Sequence, residues 1–235
     1  MGARSPEDAL AYSYKLSIPG RPTGGSTGGP TGAPAGGPQP TAAAAHPLDL
    51  FPTRIWQAMP PALAPRFPDW VSAVNALRAA APDPAGRSNR CGWNSADDAV
   101  LDRPEFAELD AAVKALCRQV LGEMGLPGFA FQLQSWINIH DKGGFNFLHM
   151  HEHSVLSGTF YLQTPEGAGG LVFRDPRPHV LGSFLKGSGP NAHSDVTLRP
   201  QPGLIVLFPA WLEHFVEPHV GDQPRISIPF NVNKL

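Results

Sequence analysis

In the segment RISIPFN, residues 225–231, large apolar side chains occupy every second position. In an extended strand successive side chains point to opposite faces, so three large apolar side chains share one face while Arg225 and Ser227 share the other. An apolar face behind a face that carries a cation and a hydroxyl is typical of a strand between a hydrophobic core and a polar cavity. The segment therefore predicts a sheet that lines such a cavity.

Short β-prone segments of this kind fill the chain from residue 129 onward, separated by Gly, Pro, Asp or Asn. Eight of them follow one another: FAFQLQSWINI, NFLHMH, VLSGTFYLQ, GGLVFRD, SDVTLRP, GLIVLFP, HFVEP and RISIPFNV. Strands at this spacing are typical of a jelly roll or a small barrel. We therefore predict a mainly β fold with flanking α-helices, its jelly-roll core formed by residues 129–235.

Two amphipathic helices are predicted ahead of these strands, in a helical part over residues 46–128. In DWVSAVNALRAAA, Trp70 and Leu77 fall on one face and Asp69 stands at the expected N-cap position. The second helix is expected to run from an N-cap at Asp102 to Gly125, with apolar residues repeating at three and four positions. Both helices have one apolar face, which we expect to cover the sheet.

The first 45 residues have a different composition, dominated by Gly and Pro with few large apolar side chains. Such a segment buries too little surface to offset the entropy of ordering it, so we interpret it as a flexible N-terminal tail. We accordingly predict one folded domain over residues 46–235.

Composition excludes several classes of partner. The net charge of −2 and the lack of a basic run argue against nucleic-acid binding, and no apolar run is long enough to span a membrane. Cys91 and Cys117 are too few for a disulfide scaffold and are not spaced as a metal motif. We expect a cytoplasmic protein, for which a homo-oligomer is compatible with the sequence.

Histidines are concentrated in HMHEHSVLSG, where His149 and His151 are two residues apart in a predicted strand. Their side chains would leave one face, with Cα atoms roughly 7 Å apart, and could share one metal. A third ligand must come from a distant strand, and His214 follows the apolar segment GLIVLFP. Histidines that only make hydrogen bonds are the alternative explanation of this pattern.

Arg225 and Ser227 add a second feature to the same cavity. Arg225 follows His214 by eleven residues, and its planar guanidinium is suited to a small carboxylate. An internal salt bridge of Arg225 is the alternative. A histidine metal site beside a single Arg and a Ser is the pattern that a mononuclear iron enzyme with a dicarboxylate cosubstrate requires.

These residues resemble the iron(II) and 2-oxoglutarate-dependent oxygenases, specifically a bacterial group of 2OG-Fe(II) oxygenases. The resemblance extends over most of the chain after the tail, through LFPTRIW, RSNRCGWNSADD, SWINIHDKGGFNFLHMHEHSVLSGTFYL, GGLVFRDPR, PGLIVLFPAWLEHFVEP and PRISIPFN. It implies a double-stranded β-helix, a cupin-like jelly roll, with Fe(II) held by His149, His151 and His214. It also implies that Arg225, Ser227 and Tyr161 bind 2-oxoglutarate, and Asn138 is a further candidate.

The third iron ligand is where this chain departs from the commonest family pattern, HxD or HxE, because His151 stands at the carboxylate position. A three-histidine site, a two-histidine site with water, and a carboxylate from Glu152 or another segment all remain open. Glu152 and Glu213 each adjoin a histidine and should point to the opposite face. Asp175 is more consistent with a turn or a supporting role, and His153 with a structural or substrate-facing one.

The resemblance implies an enzyme that consumes 2-oxoglutarate and O2, releases succinate and CO2, and hydroxylates a C–H bond, with no catalytic protein residue beyond the metal site. Polar and aromatic side chains predicted to line the cavity fit an amino acid, a peptide or another small molecule; they are Gln132, Gln134 and Trp136. Two alternatives remain open, a three-histidine cupin-type dioxygenase that does not use 2-oxoglutarate and a non-catalytic jelly roll that binds iron or a small molecule.

Overall fold

The structure, a computed structural model, describes residues 51–177 and 194–235. The predicted tail over residues 1–45 lies outside the described residues. Two α-helices are described, α1 (Phe67–Ala80) and α2 (Ala107–Glu123). The described strands are β1 (Trp56–Ala58), β2 (Asn89–Asn94), β3 (Phe131–Ser135), β4 (Asn138–His149), β5 (Leu156–Gln163), β6 (Leu171–Arg174), β7 (Asp195–Leu198), β8 (Ile205–Pro209), β9 (His214–Val216) and β10 (Arg225–Lys234).

The strands form one antiparallel sheet in the order β1-β8-β5-β10-β4-β9-β6-β7, in which β2 also pairs with β4 and β3 with β10. Strand β10 lies between β5 and β4, and β9 lies between β4 and β6. Strands distant in sequence are therefore neighbours in the sheet. The predicted mainly β fold with flanking helices is confirmed.

The larger hydrophobic core lies where α1 and α2 cover one face of the sheet. Trp70 of α1 is fully buried, and its ring meets Phe160 of β5 edge-to-face with centroids 5.8 Å apart. Ile228 and Phe230 of β10 are buried in the same cluster. Burial of each such side chain stabilises the fold by about 1.5–3 kcal/mol, so the apolar face of β10 anchors the strand whose polar face points away from the helices.

Two strand predictions need correction. FAFQLQSWINI is not one strand, because the backbone leaves the ladder at Trp136 and Ile137, whose N–H groups bind Pro229 O and Ser95 Oγ. The chain re-enters the sheet as β4, a twelve-residue strand that continues into the predicted NFLHMH segment and ends at His149. His151 consequently lies just beyond the strand. Strands β1 and β2 also occur within the part predicted to be helical.

The helix starts also differ from the predictions. Arg66 occupies the N-cap position of α1, and Asp69 in the first turn forms an ion pair with it, N to O distance 3.0 Å. A short 3-10 turn, Pro104–Phe106, precedes α2, so Asp102 is not its N-cap. Neither of the two helices that the structure describes is long and apolar enough to cross a membrane.

Candidate active site

Three histidines meet at one end of the sheet. His149, the last residue of β4, and His214, the first residue of β9, stand directly opposite each other in the ladder. His151 reaches the same place from the residues after β4, where its N–H binds Ala210 O at 2.9 Å. One ring nitrogen from each histidine lies within 4.8 Å of the others. Ligand nitrogens about 2 Å from a common metal ion lie within about 4 Å of each other, so the three rings are near the spacing of a single metal site.

Backbone carbonyls orient two of these rings. His149 Nδ1 lies 2.6 Å from Phe147 O, and His214 Nδ1 lies 2.9 Å from Leu212 O. A carbonyl oxygen only accepts, so each Nδ1 donates its hydrogen and each Nε2 keeps a lone pair. Metal-binding histidines are commonly held by such a bond on the other ring nitrogen.

A side-chain network holds the third ring. His151 Nδ1 lies 3.3 Å from the amide of Asn231, and that amide is within 2.8 Å of the Ser157 hydroxyl. Because amide oxygen and nitrogen are assigned from their hydrogen bonds, the Asn231 amide can face His151 with either atom. Its oxygen would accept from Nδ1–H and leave Nε2 free, whereas its nitrogen would donate to Nδ1.

Burial keeps these imidazoles neutral. It is the main cause that lowers the pKa of His151 to about 4 and that of His214 to about 3, and it also lowers the pKa of His149. The charges of the neighbouring histidines act in the same direction on His151 and His214. Neutral nitrogen donors with free lone pairs are the form that a transition-metal ion binds.

Within the described residues, this metal-binding group contains no carboxylate. Glu152 and Glu213 are solvent-exposed, as is His153. The carboxylate of Asp175 forms an ion pair with Arg177, at 2.6 Å, in the turn after β6. The structure therefore brings together the three predicted histidines and none of the acidic residues considered as an alternative ligand.

Arg225 and Ser227 lie on the polar face of β10, as the alternation of this strand predicts. The Arg225 side chain is 2% exposed, and its guanidinium carbon lies 5.1 Å from the centre of the buried Tyr161 ring. Its Nη1 donates to Ser227 Oγ at 3.3 Å. No acidic side chain forms an ion pair with Arg225 within residues 51–177 and 194–235. Burial lowers the pKa of Arg225 and raises that of Tyr161.

One cavity contains both the histidines and Arg225. Its lining also includes Ser227, Tyr161 and Asn138. Buried polar atoms in this lining have no hydrogen-bond partner among the described residues; they are Arg225 Nε, Tyr161 Oη, Asn138 Oδ1 and Asn146 Oδ1. Unpaired buried polar groups are costly, so this wall is built for a polar ligand or ordered water.

The three residues predicted to line the substrate side are not all in the cavity. Trp136 lines it, and its ring centre lies 4.9 Å from the guanidinium carbon of Arg87. Gln132 is solvent-exposed on β3, and Gln134 donates to Asp98 at 3.2 Å. Because the chain breaks between β3 and β4, these two glutamines do not lie on the face of the sheet where Asn138 lines the cavity.

Several residues of this region were not identified from the sequence. Ser88 and Asn146 line the cavity on the β2 side, and Asn231 contacts His151. His140, also not identified, lies 3.2 Å from Arg225 Nη1. The signal for Asn231 was the alternation of RISIPFN, which puts this residue on the same face as Arg225 and Ser227.

Comparisons with known proteins agree with this geometry. Residues 134–231 match the family model described as "Putative 2OG-Fe(II) oxygenase". No curated protein sequence matches the chain. Among solved structures, a Pseudomonas putida prolyl-4-hydroxylase superposes with a TM-score of 0.58 at 15% identity, covering 78% of this chain and 94% of that one.

Two further structures have similar folds. HygX from Streptomyces hygroscopicus, with nickel and 2-oxoglutarate bound, has a TM-score of 0.56 at 13% identity and covers 77% of this chain and 83% of that one. The alpha-ketoglutarate-dependent carbocyclase SnoK from nogalamycin biosynthesis has a TM-score of 0.56 at 13% identity, covering 77% and 79%. At these identities the likeness concerns the fold, and it confirms the predicted double-stranded β-helix.

Proposed function

We propose that the chain is a 2OG-Fe(II) oxygenase, which the match of residues 134–231 to that family model supports, and that it hydroxylates a C–H bond of a neutral organic substrate. His149, His151 and His214 hold Fe(II). Arg225 and Ser227 hold the far carboxylate of 2-oxoglutarate, with Tyr161 and Asn138 beside it. The balanced reaction converts substrate R–H, 2-oxoglutarate and O2 into R–OH, succinate and CO2.

This proposal rests on one observation: the same cavity contains a group of neutral nitrogen donors and, elsewhere in its lining, a buried positive charge. Three neutral histidines present lone pairs at one place, and Arg225 presents a buried positive charge without an acidic partner at another. A buried unpaired charge is strongly unfavourable, so an anion is expected there when the protein works. A 2-oxo acid with a second carboxylate satisfies both places with one molecule.

Each protein group has a separate task in this scheme. When bound, Fe(II) and 2-oxoglutarate would activate O2, which is the oxidant, so no protein acid, base or nucleophile is needed for the oxidation. Arg225 and Ser227 bind and orient the cosubstrate. The buried Tyr161 hydroxyl, which has no partner among the described residues, can donate a hydrogen bond to it, and the Asn138 amide can do so through its nitrogen. Leu171, Phe208 and Val216 contribute apolar lining that limits water.

A role of His151 as third ligand requires one orientation of Asn231. With the amide oxygen toward His151, Nδ1 donates to Asn231 and Nε2 is free to bind iron. The amide nitrogen then donates to Ser157 Oγ, which can accept as well as donate. The same side chains remain hydrogen-bonded when the amide oxygen and nitrogen of Asn231 exchange places. Asn231 can therefore position His151 in an all-histidine site.

The substrate side of the cavity favours a neutral, hydrogen-bonding molecule. No acidic side chain lines it among the described residues, and Arg225, the cation of the lining, is assigned to the cosubstrate. Ser88 and Asn146 offer polar contacts, and Trp136 offers an apolar wall. The amino acids, peptides and small molecules expected from the sequence include many such groups.

The absence of a carboxylate from the described metal-binding group favours a second candidate, a three-histidine dioxygenase that does not use 2-oxoglutarate. In that case Arg225 would bind a carboxylate of the substrate itself. Succinate formation distinguishes the two functions, because only the first one cleaves 2-oxoglutarate.

The test is to load the purified full chain with Fe(II) anaerobically, titrate 2-oxoglutarate calorimetrically, and then admit O2. We expect saturable binding at one site per chain, followed by O2 uptake and succinate formation detected by NMR. The control is His153→Ala, which removes an exposed histidine next to the metal-binding group and should behave as wild type. Iron binding without 2-oxoglutarate binding or succinate would contradict the proposal and favour the second candidate.

A further inference from the structure

His140 lies directly behind Arg225, in the middle of the sheet. The two residues are register partners in the β4–β10 ladder, and His140 Nδ1 is 3.2 Å from Arg225 Nη1. His140 is 0% exposed and is not part of the cavity lining, so no ligand in the cavity would touch it. Any effect of His140 on the cavity therefore passes through the lining residues beside it, Arg225 and Asn146.

The chemistry of this contact is that of a neutral acceptor. A guanidinium only donates, so the ring nitrogen that faces it must carry a lone pair and the imidazole must be uncharged. Burial first, and then the charge of Arg225, lower the pKa of His140 to about 3, consistent with a neutral ring at pH 7. The contact thus restrains the guanidinium without cancelling its charge.

One guanidinium nitrogen of Arg225 donates to two side chains. Nη1 donates both to His140 and to Ser227, whereas the buried Nε has no partner among the described residues. An aspartate or glutamate in place of His140 would neutralise the guanidinium from behind. A neutral imidazole leaves the positive charge free for an anion that enters the cavity.

We propose that His140 is a positioning residue for cosubstrate binding, which fixes the Arg225 guanidinium through a neutral hydrogen bond and so reserves its charge for the far carboxylate of a 2-oxo acid. This inference rests on the proposed function, because it takes 2-oxoglutarate as the ligand of Arg225. It goes further by assigning the affinity for a dicarboxylate to a residue that does not contact the ligand.

Three substitutions at position 140 test this role. His140→Asn keeps an acceptor near the place of Nδ1, His140→Leu removes the acceptor, and His140→Asp supplies a carboxylate at hydrogen-bonding distance from Arg225. The matched control is His219→Asn. His219 is equally buried, but its ring contacts Gly167 O and Gln223 O and does not line the cavity.

Two probes separate the effect on the far carboxylate from any general damage. Both 2-oxoglutarate and 2-oxopentanoate, which has the same five-carbon chain but no second carboxylate, are titrated calorimetrically into anaerobic Fe(II)-loaded protein. Fe(II) affinity is measured separately for every variant. A residue with only a structural role would alter both dissociation constants together, whereas the proposed role alters that of 2-oxoglutarate alone.

We expect His140→Asp to raise the dissociation constant of 2-oxoglutarate at least about a hundredfold, because the new carboxylate competes for the buried charge. His140→Leu should raise it about tenfold, since one hydrogen bond to a charged group is lost. His140→Asn should stay within about threefold of wild type. In all three variants the dissociation constants of 2-oxopentanoate and Fe(II) should change by less than about threefold, as should all constants of His219→Asn.

The inference is overturned if His140→Asp binds 2-oxoglutarate as tightly as wild type, or if it loses both 2-oxo acids equally. Should the aspartate variant fail to fold, the Leu and Asn variants carry the test, and equal 2-oxoglutarate affinity in those two would overturn it. Wild-type protein that binds Fe(II) but no 2-oxoglutarate would instead contradict the proposed function, and with it this inference.

Discussion

The two ends of the cavity have opposite hydrogen-bonding character. At the end of β4, His149, His151 and His214 offer neutral nitrogens whose lone pairs have few donors nearby. On β10, Arg225 offers N–H groups and a positive charge without an acidic acceptor among the described residues. The histidine end can therefore bind an electron-pair acceptor such as a metal ion, and the Arg225 end can bind an electron-pair donor such as a carboxylate.

This difference explains why the two ends should respond separately to mutation. Removal of a histidine should leave the anion-binding end intact, and removal of Arg225 should leave the metal-binding end intact, because the two groups share no hydrogen bond among the described residues. Binding of metal and binding of the far carboxylate can therefore be measured independently. The predictions below use this separation.

The largest effect is expected from His214→Ala. His214 is buried and its ring is fixed by Leu212 O, so its loss removes one of the three proposed ligands. We expect Fe(II) binding and turnover to be abolished, and His149→Ala to behave alike. Anaerobic titration of Fe(II), with His153→Ala as the control, checks this result. Full activity in either variant would contradict the metal assignment.

A hundredfold effect or more is expected at the other end. Arg225→Ala removes the buried charge that is proposed to bind the far carboxylate, and loss of one partner of such a pair costs on the order of 3–5 kcal/mol. The dissociation constant of 2-oxoglutarate should rise at least about a hundredfold while Fe(II) affinity stays unchanged. Calorimetry measures both values, with Arg118→Ala on the exposed face of α2 as the control. Unchanged 2-oxoglutarate affinity in Arg225→Ala would contradict the assignment of Arg225 to the far carboxylate.

His151 should give an intermediate effect on the metal end. If it is the third ligand, His151→Ala should weaken Fe(II) binding at least about tenfold. His151→Asp should retain measurable iron, because it restores the commoner two-histidine and carboxylate set. Metal titration of both variants decides the question. Equal Fe(II) affinity in wild type and His151→Ala would indicate a two-histidine site.

Ser227→Ala is expected to have the smallest effect. It removes one hydroxyl beside Arg225, at 3.3 Å from Nη1, and leaves the charge in place. The dissociation constant of 2-oxoglutarate should rise about tenfold, less than for Arg225→Ala, with no change in Fe(II) affinity. Ser72→Ala on α1, whose hydroxyl binds Pro68 O at 3.0 Å, serves as the control in the same titration. An effect as large as that of Arg225→Ala would show that Ser227 has more than an auxiliary role.

Local patterns were sufficient to predict the class of fold and the residue types of the site. The two-residue period of RISIPFN correctly placed Arg225 and Ser227 opposite the core, because alternation of side chains is a property of each strand by itself. The helical periods correctly placed two covering helices. The helix starts and the continuous strand through Trp136 were wrong, since each depends on hydrogen bonds to residues elsewhere in the chain.

The sequence by itself determined which functional groups are present, namely three histidines in two segments and a single Arg and Ser on one polar strand face. Only the tertiary structure decided that His149 faces His214, that Asn231 reaches His151, and that neutral His140 stands behind Arg225. These contacts join residues 65 or more positions apart, so they depend on which strands pair and in what register. Pairing and register are set by burial of the whole sheet against α1 and α2, and no short segment encodes that outcome.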